Sequence, residues 1–294
     1  TLLVMHRKDF ITLSSLGFLG LYSCGISHFK NRKNTLAIQL YTVRDAMAAN
    51  PEKTIERLAS MGFTGLEIYG YDGTFFGKTP QEFKRILKNT GVRVISSHHT
   101  TGIFQKGRGT LLDNCEKSVE DLHLIGSEFM VCSYLFPEER TMENFRKLPQ
   151  LLDKSGEITA KAGIQFAYHN HDFEFEKFDD TQNVYDFILK NSSPELVKME
   201  LDLYWISKAG IDPLIYFEKY PKRFPLWHVK DMKTGSKDFT EVGNGTIDFE
   251  RIFKAEKQAG LQYWFLEQDS SDKDIFESIR ISRDFIDKHN FFLK

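Results

Sequence analysis

The chain has 294 residues, of which 41% are hydrophobic and 27% charged, with 8 prolines and 20 glycines. That composition excludes a disordered, collagen-like or low-complexity polymer and allows a substantial core. Lys and Arg number 39 against 41 Asp and Glu, a net charge of −2. Nucleic-acid binding draws on a basic surplus, so no nucleic-acid partner is expected. Cys24, Cys115 and Cys132 form neither a disulfide framework nor a zinc-type spacing, and Cys115 and Cys132 read as small buried apolar residues.

In chain order the first feature is a leader. His6-Arg7-Lys8-Asp9-Phe10 is a short basic stretch, and the uncharged run 11–25 follows it. This is the n-region and h-region pattern of a secretory signal, and the run is shorter than the ~20 residues a spanning helix needs. Arg7-Lys8 resembles a weakened twin-arginine signal, Leu21-Tyr22-Ser23-Cys24 resembles a loose lipobox, and Met5 reads as the translation start. Residues 1–30 are therefore expected to direct export to the periplasm. A lipid anchor at Cys24 is a variant of that expectation, and a cytoplasmic N-terminal extension is the alternative.

From residue 35 to residue 294 the pattern is repetitive. Strands are expected at 36–41, 65–69, 93–97, 129–133, 164–169, 197–203, 226–230 and 264–267. Helices are expected at 51–61, 80–89, 111–124, 142–162, 181–190, 213–219, 249–260 and 273–288. Pro51 and Pro80 suit first-turn positions, and Gly62, Gly91, Gly163 and Gly260 suit helix ends that lead into strands. Apolar strands alternating with helices imply a parallel sheet covered on its outer face. Eight such units in about 260 residues match a single (β/α)8 TIM barrel. An open doubly wound sheet is less compatible, because no Gly-x-Gly-x-x-Gly turn follows the first strand.

Barrel enzymes build their chemistry at the C-terminal ends of the strands. Those ends carry Gln39 and Tyr41, Glu67, His98-His99, Cys132, His169-Asn170-His171 with Glu174, Asp202, His228 with Lys230-Asp231, and Glu267. Five of the 9 histidines fall at three of them. Imidazoles and carboxylates converging from different strands suit one divalent metal ion, with Mn, Zn, Co and Fe all accepting such a set. His169, Asp202, His228 and Glu267 fall about one βα unit apart, one candidate ligand per strand. Taken singly, Asp202 also reads as a helix cap, His228 as a core histidine and Glu267 as half of an ion pair. His98, His171, Tyr41 and Glu67 are the candidates for contacting substrate.

Tyr168-His169-Asn170-His171-Asp172-Phe173-Glu174-Phe175, Glu200-Leu201-Asp202, His228-Val229-Lys230-Asp231, Val242-Gly243-x-Gly245-x-x-Asp248-Phe249 and Glu267-Gln268-Asp269 resemble the xylose-isomerase-like superfamily of barrels. That superfamily includes sugar and sugar-phosphate isomerases and epimerases, inosose dehydratases and endonuclease IV. The resemblance implies a Glu–Asp–His–Glu divalent-metal site, to which Asp202, His228 and Glu267 contribute as ligands. The chain departs at the first ligand, where His169 stands in place of Glu. Either His169 or Glu174, five residues on, completes the set. The departure moves the expectation toward the dehydratase and keto-sugar side.

Such a site polarises a carbonyl and lets a base remove the α-proton. Return of the proton to the other face is epimerisation, return to the neighbouring carbon is isomerisation, and loss of a β-oxygen is elimination. Glu267 and Glu174 are candidate acid/base groups, and Lys230 is a candidate for stabilising an oxyanion. Tyr41, Trp205 and Trp227 suit either a sugar-facing wall or the core. Residues 242–249 read as a flap or a structural turn. No glycine-rich phosphate cradle follows the last strands, so a free or oxidised (keto) sugar is the expected substrate. The alternatives are a non-catalytic sugar-binding barrel and, less compatible, a DNA-repair endonuclease. The latter would need a His where Trp205 stands and a further ligand near Cys132.

Overall fold

The computed structural model describes residues 35–178 and 181–292; the expected export segment and the Cys24 anchor lie outside them. The barrel strands are β1 (Ala37–Gln39), β2 (Gly65–Ile68), β3 (Arg93–Thr100), β4 (Phe129–Tyr134), β5 (Gln165–His169), β6 (Val197–Asp202) and β7 (Leu226–Val229). A short ribbon of β8 (Asp231–Met232) and β9 (Phe239–Thr240) precedes the last barrel strand, β10 (Tyr263–Leu266). The order β1-β10-β7-β6-β5-β4-β3-β2 closes on itself, and every barrel pairing is parallel. This is the (β/α)8 TIM barrel read from the sequence.

Helix starts are written in the chain. Asn50 accepts from the Lys53 N–H ahead of Pro51–Ser60, and Thr79 and Glu82 form a reciprocal capping box ahead of Pro80–Thr90. In both helices the proline occupies the first turn, where its missing N–H goes unneeded. Several expected bounds differ, three of them instructively. The helix expected from residue 111 begins at Cys115, because the Leu111 and Leu112 N–H groups are taken by the Thr100 and Thr101 carbonyls. The helix expected over 249–260 breaks into Phe249–Phe253 and Glu256–Ala259. The segment after β6, read as strand to residue 203, turns at once into the helix Leu203–Lys208.

Two apolar clusters hold the barrel. The larger lies between strands and helices, and a smaller one of Ala37, Ile95, Phe129, Val131, Ala167, Leu226, Tyr263 and Phe265 fills the barrel interior. Side chains two apart on a strand share a face. Leu226, His228 and Lys230 on one strand line, and Tyr263, Phe265 and Glu267 on the next, therefore rise from an apolar floor to polar tiers at the C-terminal end. Trp227 alternates outward, fully buried and stacked on Phe217 at 5.0 Å, which settles it as a core residue. Cys115 and Cys132 are buried as well, and burial pushes both thiols up.

Candidate metal centre and active-site cavity

Pairing register brings the ligands together. Asp202 lies opposite His228 across β6 and β7, His169 opposite Glu200 across β5 and β6, and His228 opposite Phe265, two residues before Glu267. One donor atom from each of His169, Asp202, His228 and Glu267 falls within a mutual 4.8 Å, and all four residues are buried. Asp202 serves two ends. Its Oδ1 accepts the Trp205 N–H at 2.9 Å and caps the helix Leu203–Lys208, while its Oδ2 faces His169 Nε2 at 3.4 Å. The helix-cap reading of Asp202 thus holds through Oδ1, and Oδ2 remains free of that role for a cation.

The donor set suits a divalent cation. His169 Nδ1 donates to the Ser133 carbonyl at 3.1 Å, and burial lowers the pKa of the ring. The neutral ring thus turns a lone pair on Nε2 toward the Asp202 carboxylate, two acceptors face to face. His228 Nδ1 lies 2.5 Å from Glu267 Oε2 and has no hydrogen-bond partner, while Glu267 Oε2 is shared with the Lys230 ammonium at 2.9 Å. A buried nitrogen without a partner is costly, and a cation among the four donor atoms would satisfy it and offset the clustered carboxylate charge. The charges agree. Asp202, Glu267 and Asp269 surround the ammonium of Lys230, at 3.1, 2.9 and 3.1 Å. Burial works against charge on Lys230, but these carboxylates outweigh it and hold its pKa well above the usual range.

A second tier lies behind His228. Its Nε2 donates to Glu67 Oε2 at 2.5 Å, and Glu200 Oε2 is 3.3 Å away. His98 Nε2 donates to Glu200 at 2.7 Å and lies 3.1 Å from Glu67. The Gln39 amide nitrogen reaches Glu67 at 2.8 Å and His98 Nδ1 at 3.2 Å, its oxygen being taken by the Tyr41 N–H at 3.0 Å. Glu67 and Glu200 are fully buried. A sequence reading passes over Glu200, although it sits two residues before Asp202 on the same strand face. Asp269, two residues after Glu267, is the other group it misses.

The tiers open into a cavity of about 1110 Å³ at the C-terminal end of the barrel. His98, His169, His171, Tyr41, Lys230 and Glu267 line it, with Tyr134, Trp205 and Phe239 adding an aromatic wall. His171 packs against Tyr134 and Trp205, and its Nδ1 has no partner. Glu67 and Glu174 are placed elsewhere. Glu67 is sealed behind His228. Glu174 is fully buried, accepting from the Tyr168 hydroxyl at 2.7 Å and the His171 N–H at 2.8 Å. It is not among the converging donor residues, whereas His169 is, which makes His169 the candidate for the first position. The ring of His98 spends both nitrogens on the tier behind it. His99 donates from Nδ1 to the Gly109 carbonyl at 2.6 Å and so pins the loop beside the cavity. Asn170 accepts the Asp202 N–H at 3.0 Å.

Residues 242–249 form a structural turn. The Asp231 carboxylate accepts from the N–H groups of Met232, Gly243, Gly245 and Ile247 at 2.8 to 3.2 Å. None of these four residues lines the cavity.

Known proteins share this architecture. An inosose dehydratase of Lacticaseibacillus casei is 22% identical over 270 residues, 80% of this chain and 88% of the relative. Among solved structures, a sugar phosphate isomerase/epimerase from Parabacteroides distasonis superposes with TM-score 0.76 at 27% identity, covering 92% of this chain and 99% of its own. A zinc-bound IolI protein superposes with TM-score 0.69 at 14% identity, covering 88% and 99%. A 3-keto-D-glucoside 4-epimerase from E. coli gives TM-score 0.60 at 18% identity, covering 82% and 95%. The family model for xylose isomerase-like TIM barrels matches residues 55–289, and the chain belongs to that family.

Proposed function

We propose that the protein is a divalent-metal-dependent isomerase, epimerase or lyase that acts on a free or keto sugar by removing the proton α to a carbonyl. The observation that carries this reading is the convergence of His169, Asp202, His228 and Glu267, with His228 Nδ1 lacking a hydrogen-bond partner, at the inner end of a cavity with aromatic walls. The zinc-bound neighbour and the names of the sugar-modifying relatives support it. A bound divalent ion would supply Lewis acidity toward a carbonyl and its neighbouring hydroxyl.

The rest falls to the protein. Glu267, at the cavity wall, takes the α-proton as general base. Lys230, 3% exposed at its side chain, donates to the oxygen on which negative charge develops. The same ammonium screens Asp202 from Glu267. Tyr41 and Trp205 offer ring faces to the apolar side of a sugar, and His171 Nδ1 offers an unused polar contact. An unphosphorylated substrate accords with the export expected of residues 1–30, which we carry forward as part of the proposal.

The test is metal analysis by mass spectrometry of the wild type beside the Asp202→Ala/His228→Ala double variant, followed by solvent deuterium exchange into free and 3-keto sugars. One divalent ion per chain, lost in the variant, with exchange that disappears on chelation, is the expected result. Exchange that persists at full rate after metal removal would overturn the mechanism. A bound metal with no exchange across the sugar panel would favour the sugar-binding barrel.

A further inference from the structure

His228 stands between two pairs of carboxylates. On the cavity side are Glu267 Oε2 at 2.5 Å and Asp202 Oδ2 at 3.6 Å from Nδ1; on the inner side are Glu67 Oε2 at 2.5 Å and Glu200 Oε2 at 3.3 Å from Nε2. An imidazole that binds a metal is neutral with one N–H, and its location decides whether Nδ1 can present a lone pair to the cation. Geometry resolves the choice. The Nε2 contact to Glu67 has hydrogen-bond geometry, whereas Nδ1 has no hydrogen-bond partner. The inner pair is itself held in order. The backbone N–H of Tyr41 fixes the Gln39 amide, the Gln39 amide nitrogen faces His98 Nδ1, and His98 must then donate through Nε2 to Glu200.

We propose that Glu67 and Glu200 are positioning residues for the metal ligand His228: they hold its proton on Nε2, keep Nδ1 free for the cation and fix the ring plane. This inference rests on the metal-site reading above. Glu67, Glu200, His98 and His228 could together be mistaken for a second metal site, since their donor atoms also lie within 4.8 Å of one another. Their nitrogens and oxygens alternate at 2.5 to 3.3 Å, the spacing of shared protons, and His228 would have to serve two cations at once. Outer partners of metal-bound histidines typically set metal affinity by 10- to 100-fold.

The test uses Zn²⁺ and Co²⁺ with the full chain, its Glu67→Gln and Glu200→Gln variants, and a chelating indicator as competitor. The wild type is expected to bind one Zn²⁺, with long-range proton–nitrogen NMR placing the His228 proton on Nε2. The Gln variants should bind Zn²⁺ about 10- to 100-fold more weakly and shift the Co²⁺ absorption bands, a readout that loss of packing alone would not give. If Glu67→Gln fails to fold, Glu200→Gln carries the same measurement. Unchanged affinity in the variants overturns the positioning role while leaving the metal site intact. Two Zn²⁺ per chain in the wild type overturns it in favour of a second metal site, and no Zn²⁺ at all overturns both readings.

Discussion

A carboxylate at a strand end has different chemistry according to its depth, and Glu174 and Glu267 illustrate the two cases. Burial pushes the Glu174 pKa up to about 7, against the Tyr168 hydroxyl and His171 N–H that favour its ionised form. Glu267 lies shallower, at the cavity wall, and Lys230 and His228 overcome its desolvation and hold its pKa below the usual carboxylate range. For Glu174 the consequence is a pH-dependent stability with a definite sign. The folded state binds the proton more tightly than the unfolded chain, whose Glu has its ordinary value of 4.5. The contribution is therefore complete below about pH 4.5 and is lost as pH rises through about 7, a change on the order of 3 kcal/mol at most. Glu174→Gln keeps an acceptor for His171 and a donor for Tyr168 without titrating. Urea unfolding from pH 4.5 to 8 should show the wild type losing stability relative to Glu174→Gln across that window; parallel curves would refute the linkage. The sequence placed both glutamates at the active end because chain position marks a strand end. Depth depends on how the loop after β5 folds back, and Tyr168 and His171 decide that in three dimensions.

Elements are where the sequence was most and least explicit. Pro51 and Pro80, each preceded by a capping side chain, mark helix starts that any reading finds. The β8–β9 ribbon has only two residues per strand, too few for a periodic signal, and its integrity rests on one side chain. Asp231 gathers four backbone N–H groups from 232–247, and a Cβ on Gly245 would overlap the Asp231 carboxylate. A Cβ on Gly243, at φ +94, would overlap the Phe285 ring. The Gly-x-Gly spacing thus answers to close packing on an anchor, and sequence alone left it open between flap and turn. Gly245→Ala should destabilise the barrel by about 1–3 kcal/mol, the range for overfilling a packed site, measured by urea unfolding. Since Gly245 lies off the cavity wall, the number of metal ions bound per chain should stay at the wild-type value. A variant as stable as wild type would show that the turn has slack the packing does not suggest.

At the scale of the whole molecule, barrel closure lets residues far apart in the chain act as one charge system. Glu67 meets His228 across 161 positions and His98 meets Glu200 across 102. The convergence of His169, Asp202, His228 and Glu267 was legible because each βα unit delivers one ligand-type residue to the same end. Gln39, Glu67 and His98 were also legible as strand-end residues, but not their place behind His228, because depth is fixed by barrel register and by the irregularity between Leu66 and Glu67. The two tiers together set four carboxylates around one imidazole with Lys230 as the nearby ammonium, so a divalent cation should stabilise the fold as well as serve chemistry. Ligand linkage puts the gain at about 2.7 kcal/mol when free metal is 100 times its dissociation constant, or roughly 5–10 °C in melting temperature for a domain of this size. The wild type should show that rise on titration with Zn²⁺ or Mn²⁺ after chelation. The Asp202→Ala/His228→Ala variant should show none, having lost two ligands and the reason for the cation to bind. Because unfolding samples the entire barrel, equal melting temperatures for the chelated and metal-saturated wild type would count against the cation at this site whatever the substrate.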